Sequence, residues 1–379
     1  MSSSITPNSF VIAQQTIYAL LSSMQPICNK RTPLESTEYI FFSINPRELT
    51  IKATDMEISL QSTADIESAN NATSTFLVPG KRIFDIVREM EGDIHFSIED
   101  NALRLRSNGV DLSLNIRSGE DFPAFPERIE NLMHLDAPFL VTLLNKVSFL
   151  IPSNNSNSAL NGLFLEIDNQ HLSMVATDGH SLARVTTPKY TLSEKRSWLL
   201  PKRAITELKK IIEVGEAAHV FLGVCGSQLV FSGQNFNFFT KLIASPFPDY
   251  APALDRQGFV PARIGRSDFS RTLKRTGCLL AGQFLSTSFT FQKTGLDITL
   301  NNKEVGSLKE SLPLAAFENN AAIETRFYSP YLLNGLQVLA GETVHFLVKN
   351  SMKPIIFDDS SADFVFTYLV MPVSAVQNA

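Results

Sequence analysis

Cysteine is scarce in this chain of 379 residues: Cys28, Cys225 and Cys278 are the only three. An odd number so widely spread excludes a disulfide framework, a CxxC redox pair and a metal knuckle. A reducing, cytoplasmic setting is therefore expected, with no metal or other cofactor. Long apolar runs are missing too. The nearest, around Leu143 to Ile151, is broken by Asn145 and Lys146 and falls short of the ~20 residues a membrane span needs. The N-terminus, MSSSITPNSF, has neither the basic stretch nor the apolar core of a secretory signal, so the glycosylation pattern at Asn71 carries no meaning. GxSxG, HExxH and phosphate-loop patterns do not occur. Neither sign of charge dominates, and the net charge of −5 argues against chain-wide affinity for nucleic acid.

What the chain does have is repetition. IKATDMEISL at Ile51–Leu60 returns as VATDGHSLA at Val175–Ala183, the two ATD triplets lying 123 residues apart (176 − 53). LVPGKRIFDIVREM at Leu77 matches LLPKRAITELKKII at Leu199, 122 residues on (199 − 77). A more diverged FYSPYLLNGLQVL follows at Phe327, a further 128 (327 − 199). SFVIAQQTIYALLSSM near Ser9, APFLVTLLNKVSFLI at Ala137 and SDFSRTLKRTGCLL at Ser267 form a second three-part series. Motifs kept in one order at nearly one spacing indicate three duplicated units, placed at 1–128, 129–254 and 255–379.

Each unit reads as helix, strands, helix, strands. A helix is expected from about Ser9 to Met24, with Phe10, Ile12, Ile17, Leu20 and Leu21 near helical spacing. Tyr39–Ser43 and Leu49–Ala53 read as strands, and Thr54–Leu60 alternates as another. A second helix starts at Pro79, suited to a first turn because its missing N–H would be unbonded there. Asp93–Glu99 alternates Ile94, Phe96 and Ile98 against His95, Ser97 and Glu99. Leu103 and Leu105 continue it, Asn108-Gly109 makes a hairpin turn, and Leu112, Leu114 and Ile116 form the return strand. Pro123–Asp136 and Ala251–Gly265 read as connectors, and PSNNSNS at Pro152–Ser158 as a mobile loop. The fold class is α+β with antiparallel sheet. Such units have open sheet edges, which invite pairing with other chains. Joining units edge to edge removes the internal edges, and two curved chains joined head to tail close a six-unit ring that removes the rest.

The candidate helices carry much of the basic charge: Lys81, Arg82 and Arg88 on one, Lys202, Arg203, Lys209 and Lys210 on the next. Spacings of seven place Lys202 with Lys209 and Arg203 with Lys210 on a shared face. Arg263, Arg266, Arg271, Lys274 and Arg275 crowd the start of the third unit. Recurrence at equivalent positions points to local attraction for a phosphate backbone.

At this point the chain resembles a known family, the bacterial sliding clamp, the beta subunit of DNA polymerase III. The resemblance runs through KATDMEISL, VPGKRIFDIVREM, GEDFPAFPE at Gly119–Glu127, LNGLFLEI at Leu160–Ile167, VATDGHSLA, TKLIASPFPDY at Thr240–Tyr250 and the terminal VMP at Val370–Pro372. It implies a head-to-tail homodimer, a ring of six similar domains with helices lining the hole and sheets outside. The ring would encircle duplex DNA without sequence preference and tether replicative and repair polymerases, with no catalysis of its own and no membrane. A separate clamp loader would open it. Lys81, Arg82, Lys202 and Arg203 would face the hole, with Lys30 and Arg31 at its rim. A pocket between the middle and last domains would take short peptides from several partners. It would be lined by Leu160, Thr177, Gly179, His180, Leu182, Pro248, Met352, Pro354 and Met371, with Ser181, Ala253, Tyr331 and Leu369 nearby. The dimer contact would set the strand of Leu112 and Leu114 against Cys278, Leu279 and Leu280 of the other chain.

The chain departs from the family pattern in places. Ser181 stands where arginine is frequent and Ala253 where a larger aliphatic is common. The PSNNSNSAL loop lacks basic and aromatic residues, and VSAVQNA extends past the usual short tail. A clamp-derived scaffold that binds peptides without retaining DNA is one competing reading. An enzyme built on Asp178, His180 and Ser181 is another, disfavoured because nucleophilic triads draw on separated segments that converge in space.

Overall fold

The structure, a computed structural model, describes residues 9–30, 32–68, 73–99, 101–126, 128–280 and 286–373. Arg31, Asn71, Glu127 and all of the VSAVQNA tail after Val373 lie outside the described residues. Six helices carry the described helical chain: α1 (Gln14–Cys28), α2 (Gly80–Arg88), α3 (Ala137–Ser148), α4 (Lys202–Val214), α5 (Arg266–Leu279) and α6 (Ser329–Leu336).

Strands sort into four sheets of five, nine, eight and four. The nine-stranded sheet crosses from the first repeat to the second where Ile58–Asp65 pairs antiparallel with Phe236–Lys241. The eight-stranded sheet crosses from the second to the third where Ser181–Thr187 pairs with Val365–Val370. Repeat edges are thus removed by joining, as edge pairing requires. The five-stranded sheet ends on Val110–Asn115 and the four-stranded sheet on Gly306–Leu312, each unpaired on its outer side among the described residues. Because sheets are shared between repeats, the chain packs as two compact units that cut across the central repeat. One holds the described residues of Met1–Val141 with Arg203–Leu242, the other Thr142–Lys202 with Ile243–Ala379.

Alternation in the first unit follows the sequence reading. Ile40, Phe42 and Ile44 on one strand, and Leu49, Ile51 and Ala53 on the next, are buried beneath α1, while their neighbours are half-exposed. Ile17, Leu21 and Met24 supply the facing side of α1. Gly80 opens α2 because a Cβ there would stand 3.2 Å from the Cys28 Cβ and closer still to its Sγ.

Four expectations need correction. Ser9–Ala13 is a strand paired with Asp93–Glu99, and the helix starts only at Gln14; the partner strand's hydrogen bonds outweigh a weak helical pattern. Thr54–Leu60 is not one strand, because Asp55–Glu57 turns the chain between two. Glu130–Asp136 and Val260–Gly265, read as connectors, are strands. The Ser/Asn loop is held internally: Asn155 N–H donates to Asn161 Oδ1 at 2.7 Å, Asn161 Nδ2 returns to the Asn155 carbonyl at 2.8 Å, and Asn157 Oδ1 caps Ala159 at 3.1 Å.

Candidate functional site

The two ATD triplets are the same turn. In the first, Asp55 Oδ1 accepts from the N–H groups of Glu57 (2.9 Å) and Ile58 (2.7 Å), and Thr54 Oγ1 accepts from Met56 N–H (3.1 Å). In the second, Asp178 Oδ1 accepts from His180 (2.8 Å) and Ser181 (2.6 Å), and Thr177 Oγ1 from Gly179 (3.1 Å). Both turns need a positive φ, +72° at Met56 and +92° at Gly179, which glycine adopts without a Cβ clash. The triplet is therefore structural. Asp178 is committed to backbone donors, the His180 ring stacks on Tyr331, and Ser181 is 1% exposed, so the three side chains do not form a catalytic set.

In the second unit this turn borders an apolar cluster. Val175, Leu182, Ile356 and Leu369 form its buried centre on one face of the eight-stranded sheet, Leu182 lying directly opposite Leu369. Phe164, Phe247, Tyr250, Ala253 and Leu254 pack on that centre, with Phe164 and Phe247 stacked 4.9 Å apart. The covering explains why all of Leu172–Thr177 is buried, although antiparallel sheets commonly leave one face wet. The His180 and Tyr331 rings stack at 5.4 Å, and Met371 N–H bonds the His180 carbonyl at 2.8 Å.

Of the predicted pocket residues, Leu160, Thr177, Ser181, Leu182, Pro354 and Leu369 are buried, Ala253 and Tyr331 half-buried, and Gly179, His180, Pro248 and Met371 exposed. The structure joins Leu182, Leu369 and Ala253 in one cluster, and Leu160 lies 3.7 Å from the Cβ position of Gly179. Met352, 78% exposed, and Pro354 sit before the strand Ile355–Ser360 without entering the cluster. The sequence reading missed Phe164, Phe247 and Tyr250. The signal was available, since PFPDY packs two aromatics into five residues.

The basic residues divide. Lys81 and Arg82 are exposed on α2, opposite its buried Gly80, Ile83 and Val87. Neither makes an ion pair among the described residues, nor does Lys209. Lys202 donates to Ser153 Oγ at 3.0 Å and Lys210 to Glu207 at 3.3 Å. Arg203 is built in: its guanidinium meets the fully buried Asp55 carboxylate and donates to the Pro26 carbonyl at 3.0 Å. Burial lowers its pKa from the usual value, as desolvation of a cation must. Lys30 pairs with Glu57 and lies 3.6 Å from Asp55. Arg203 and Lys30 thus tie the first turn to the C-terminal carbonyls of α1, where cations are favoured.

At the sheet edges, Leu112 is 38% exposed and Leu114 half-buried; Cys278 is exposed, and Leu279 and Leu280 are half-buried at the end of α5.

Family comparison gives three matches in register with the repeats. The N-terminal domain of the DNA polymerase III beta subunit matches residues 8–126, its central domain 134–249 and its C-terminal domain 261–374. The chain belongs to the DNA polymerase III beta subunit family. Beta sliding clamps of Chlamydia muridarum and Vibrio cholerae are 24% and 26% identical to it, each over 96% of this chain and 98% and 99% of their own. Among solved structures, a DNA polymerase sliding clamp from Pseudomonas aeruginosa with ligand has a TM-score of 0.89 at 23% identity, covering 97% of this chain and 99% of that one. The beta subunit from DNA polymerase of Streptococcus pyogenes has the same TM-score at 17% identity, covering 97% and 100%. The fold of three beta-subunit domains is shared even where few residues are.

Proposed function

We propose that this beta-subunit family member is a non-catalytic processivity clamp, a head-to-tail homodimer that encircles duplex DNA and carries polymerases and other factors through the apolar cluster of the second unit. The observation that carries the reading is the pairing scheme. The repeats join through Ile58–Asp65 with Phe236–Lys241 and Ser181–Thr187 with Val365–Val370, and Val110–Asn115 in the first repeat and Gly306–Leu312 in the third are among the strands that end their sheets. Two chains meeting head to tail through these two strands would pair them. The apolar residues Val110, Leu112, Leu279 and Leu280 flank the edges and supply area to bury on association.

For the DNA contact, Lys81, Arg82, Lys202, Lys209 and Lys210 are the residues assigned, with Lys30 shared between Glu57 and phosphate. Arg203 is assigned to the fold instead. Few, exposed, lysine-rich contacts suit a ring that slides, because phosphate contacts hold without reading sequence. For the partner contact, the apolar cluster around Leu182 and Leu369, with its half-buried aromatic cover, supports a site for apolar anchors of a flexible peptide. The domain boundaries are assigned at 1–128, 129–254 and 255–379.

The test is retention on DNA of different topology. Loaded by its cognate loader, the protein should remain on closed circular DNA and run off linear DNA of the same sequence; equal loss from both would reject encirclement. Retained peptide binding without DNA retention would favour the scaffold reading.

A further inference from the structure

In the compact unit that holds the first repeat, two elements run from the Asp55 turn to a second place. The strand Ile58–Asp65 leaves the turn and ends on Asp65; α4 begins beside the turn, where Arg203 meets Asp55, and ends on Val214. Asp65 and Val214 both line a hollow of about 860 Å³, with Glu216 just past the helix and Ala19 and Ser23 of α1. His134, His219 and Phe221 add three rings to the lining. They share one sheet face, because Phe221 is paired with His134 and His219 precedes Phe221 by two residues on the same strand. The His134 ring centre lies 4.4 Å from that of His219 and 4.8 Å from that of Phe221.

Two properties of the lining select one kind of occupant. The first is apolar exposure: Val214 is 52% and Phe221 45% exposed, so a partner that covers them removes apolar surface from water. The second is the sign of the charge. The lining holds Asp65 and Glu216 but neither lysine nor arginine. Both carboxylates are exposed, and neither forms an ion pair among the described residues. Asp65 stands directly across the ladder from Glu48, a second carboxylate rather than a cation, and like charges so placed are unfavourable. α4 also ends here with no basic residue in its last turn, and the partial negative charge of a helix C-terminus favours a cation. A lining of this sign repels a phosphate backbone, which separates it from the DNA contact. A lysine or arginine head would meet carboxylates and ring faces together, while an adjoining apolar side chain covered Val214 and Phe221.

We propose that this hollow is a docking site for a segment of a partner protein in which lysine or arginine stands next to an aromatic or aliphatic side chain. It shares no residue with the apolar cluster around Leu182 and Leu369, so a partner held there leaves that cluster unoccupied.

The test titrates two synthetic peptides into the full-length protein, one with lysines flanking phenylalanine and leucine, the other with glutamates in place of the lysines. The wild type should bind the lysine peptide and discriminate against the glutamate one, by a margin that shrinks as salt rises. Asp65→Asn with Glu216→Gln should weaken the lysine peptide about tenfold, and Phe221→Ala should weaken it separately. Glu194→Gln with Glu318→Gln makes the same change of net charge at exposed positions outside the hollow and should stay within about twofold of the wild type. All of these substitutions are at exposed residues, and an unchanged urea midpoint verifies that each variant folds. Equal loss in the two double variants would reduce the effect to net charge and overturn the proposal. So would undiminished binding by Asp65→Asn with Glu216→Gln, equal affinity for the two peptides, or no binding of the lysine peptide by the wild type. Spermidine binding as tightly as the lysine peptide would make the hollow a site for small amines, and a smaller particle in sedimentation of Phe221→Ala would mean that a second copy covers it; either result overturns the proposal too.

Discussion

Asp55 shows how one residue can serve the fold at a position that reads as chemistry. Its carboxylate is fully buried and meets two backbone N–H groups and Arg203. Removing one member of a buried pair leaves the other uncompensated, which costs about 3 kcal/mol or more. Asp55→Asn should therefore lower stability by about 3 kcal/mol, read as a shift in the urea midpoint. Arg203→Gln should act in the same direction while leaving the salt dependence of DNA binding nearly unchanged. By contrast, Lys81→Gln with Arg82→Gln should leave the midpoint in place and flatten the salt slope by about 2. Gly80→Ala tests close packing: the added methyl would collide with Cys28, costing about 1–3 kcal/mol. The buried Cys28 thiol is itself pushed up to about 12, so thiol labelling of the native protein should spare Cys28 and reach it only on unfolding.

Among elements, the edge strand Gly306–Leu312 is tied to α5 by Arg275, which bonds Glu310 through two nitrogens. The hydrogen bond to Arg275 holds the Glu310 carboxyl below its ordinary 4.5. A carboxyl with a depressed folded pKa adds stability that is present above the unfolded value and lost as pH falls through the folded one. Wild type should therefore unfold at higher urea than Glu310→Gln at pH 7, and the difference should shrink and vanish as pH falls through the depressed folded value. A difference that persisted at low pH would mean the pair contributes through packing. The elements also show where sequence reading succeeded. The second helix, expected from Pro79, begins at Gly80 as α2, and α4 and α5 lie on the repeated motifs at Leu199 and Ser267, where one apolar stripe defines each helix. Ser9–Ala13 was misread because its partner strand lies some eighty residues away, and local spacing holds no record of that pairing.

For the whole molecule, the edge scheme makes the oligomer the first thing to measure. Sedimentation across a dilution series should show a particle of twice the chain mass, and Leu112→Lys at the exposed edge should shift it to the monomer and abolish retention on circular DNA. A wild-type monomer at all concentrations would mean the ends are closed in another way.

The sequence by itself determined the three-fold repeat, the α+β class, the alternation of the sheets and the family, because each is written in local spacing or in motif order. It also singled out Leu182, Leu369 and Ala253, which the fold packs into one apolar cluster. Tertiary structure alone decided which cations are free. Arg203 and Lys81 look alike in sequence, yet one faces a buried carboxylate contributed by a turn almost 150 residues away and the other faces water. It likewise decided that Arg184, paired across the sheet with Val175, forms no ion pair among the described residues. Charge pairing and burial are set by contacts between distant segments, and those exist only once the sheets have closed.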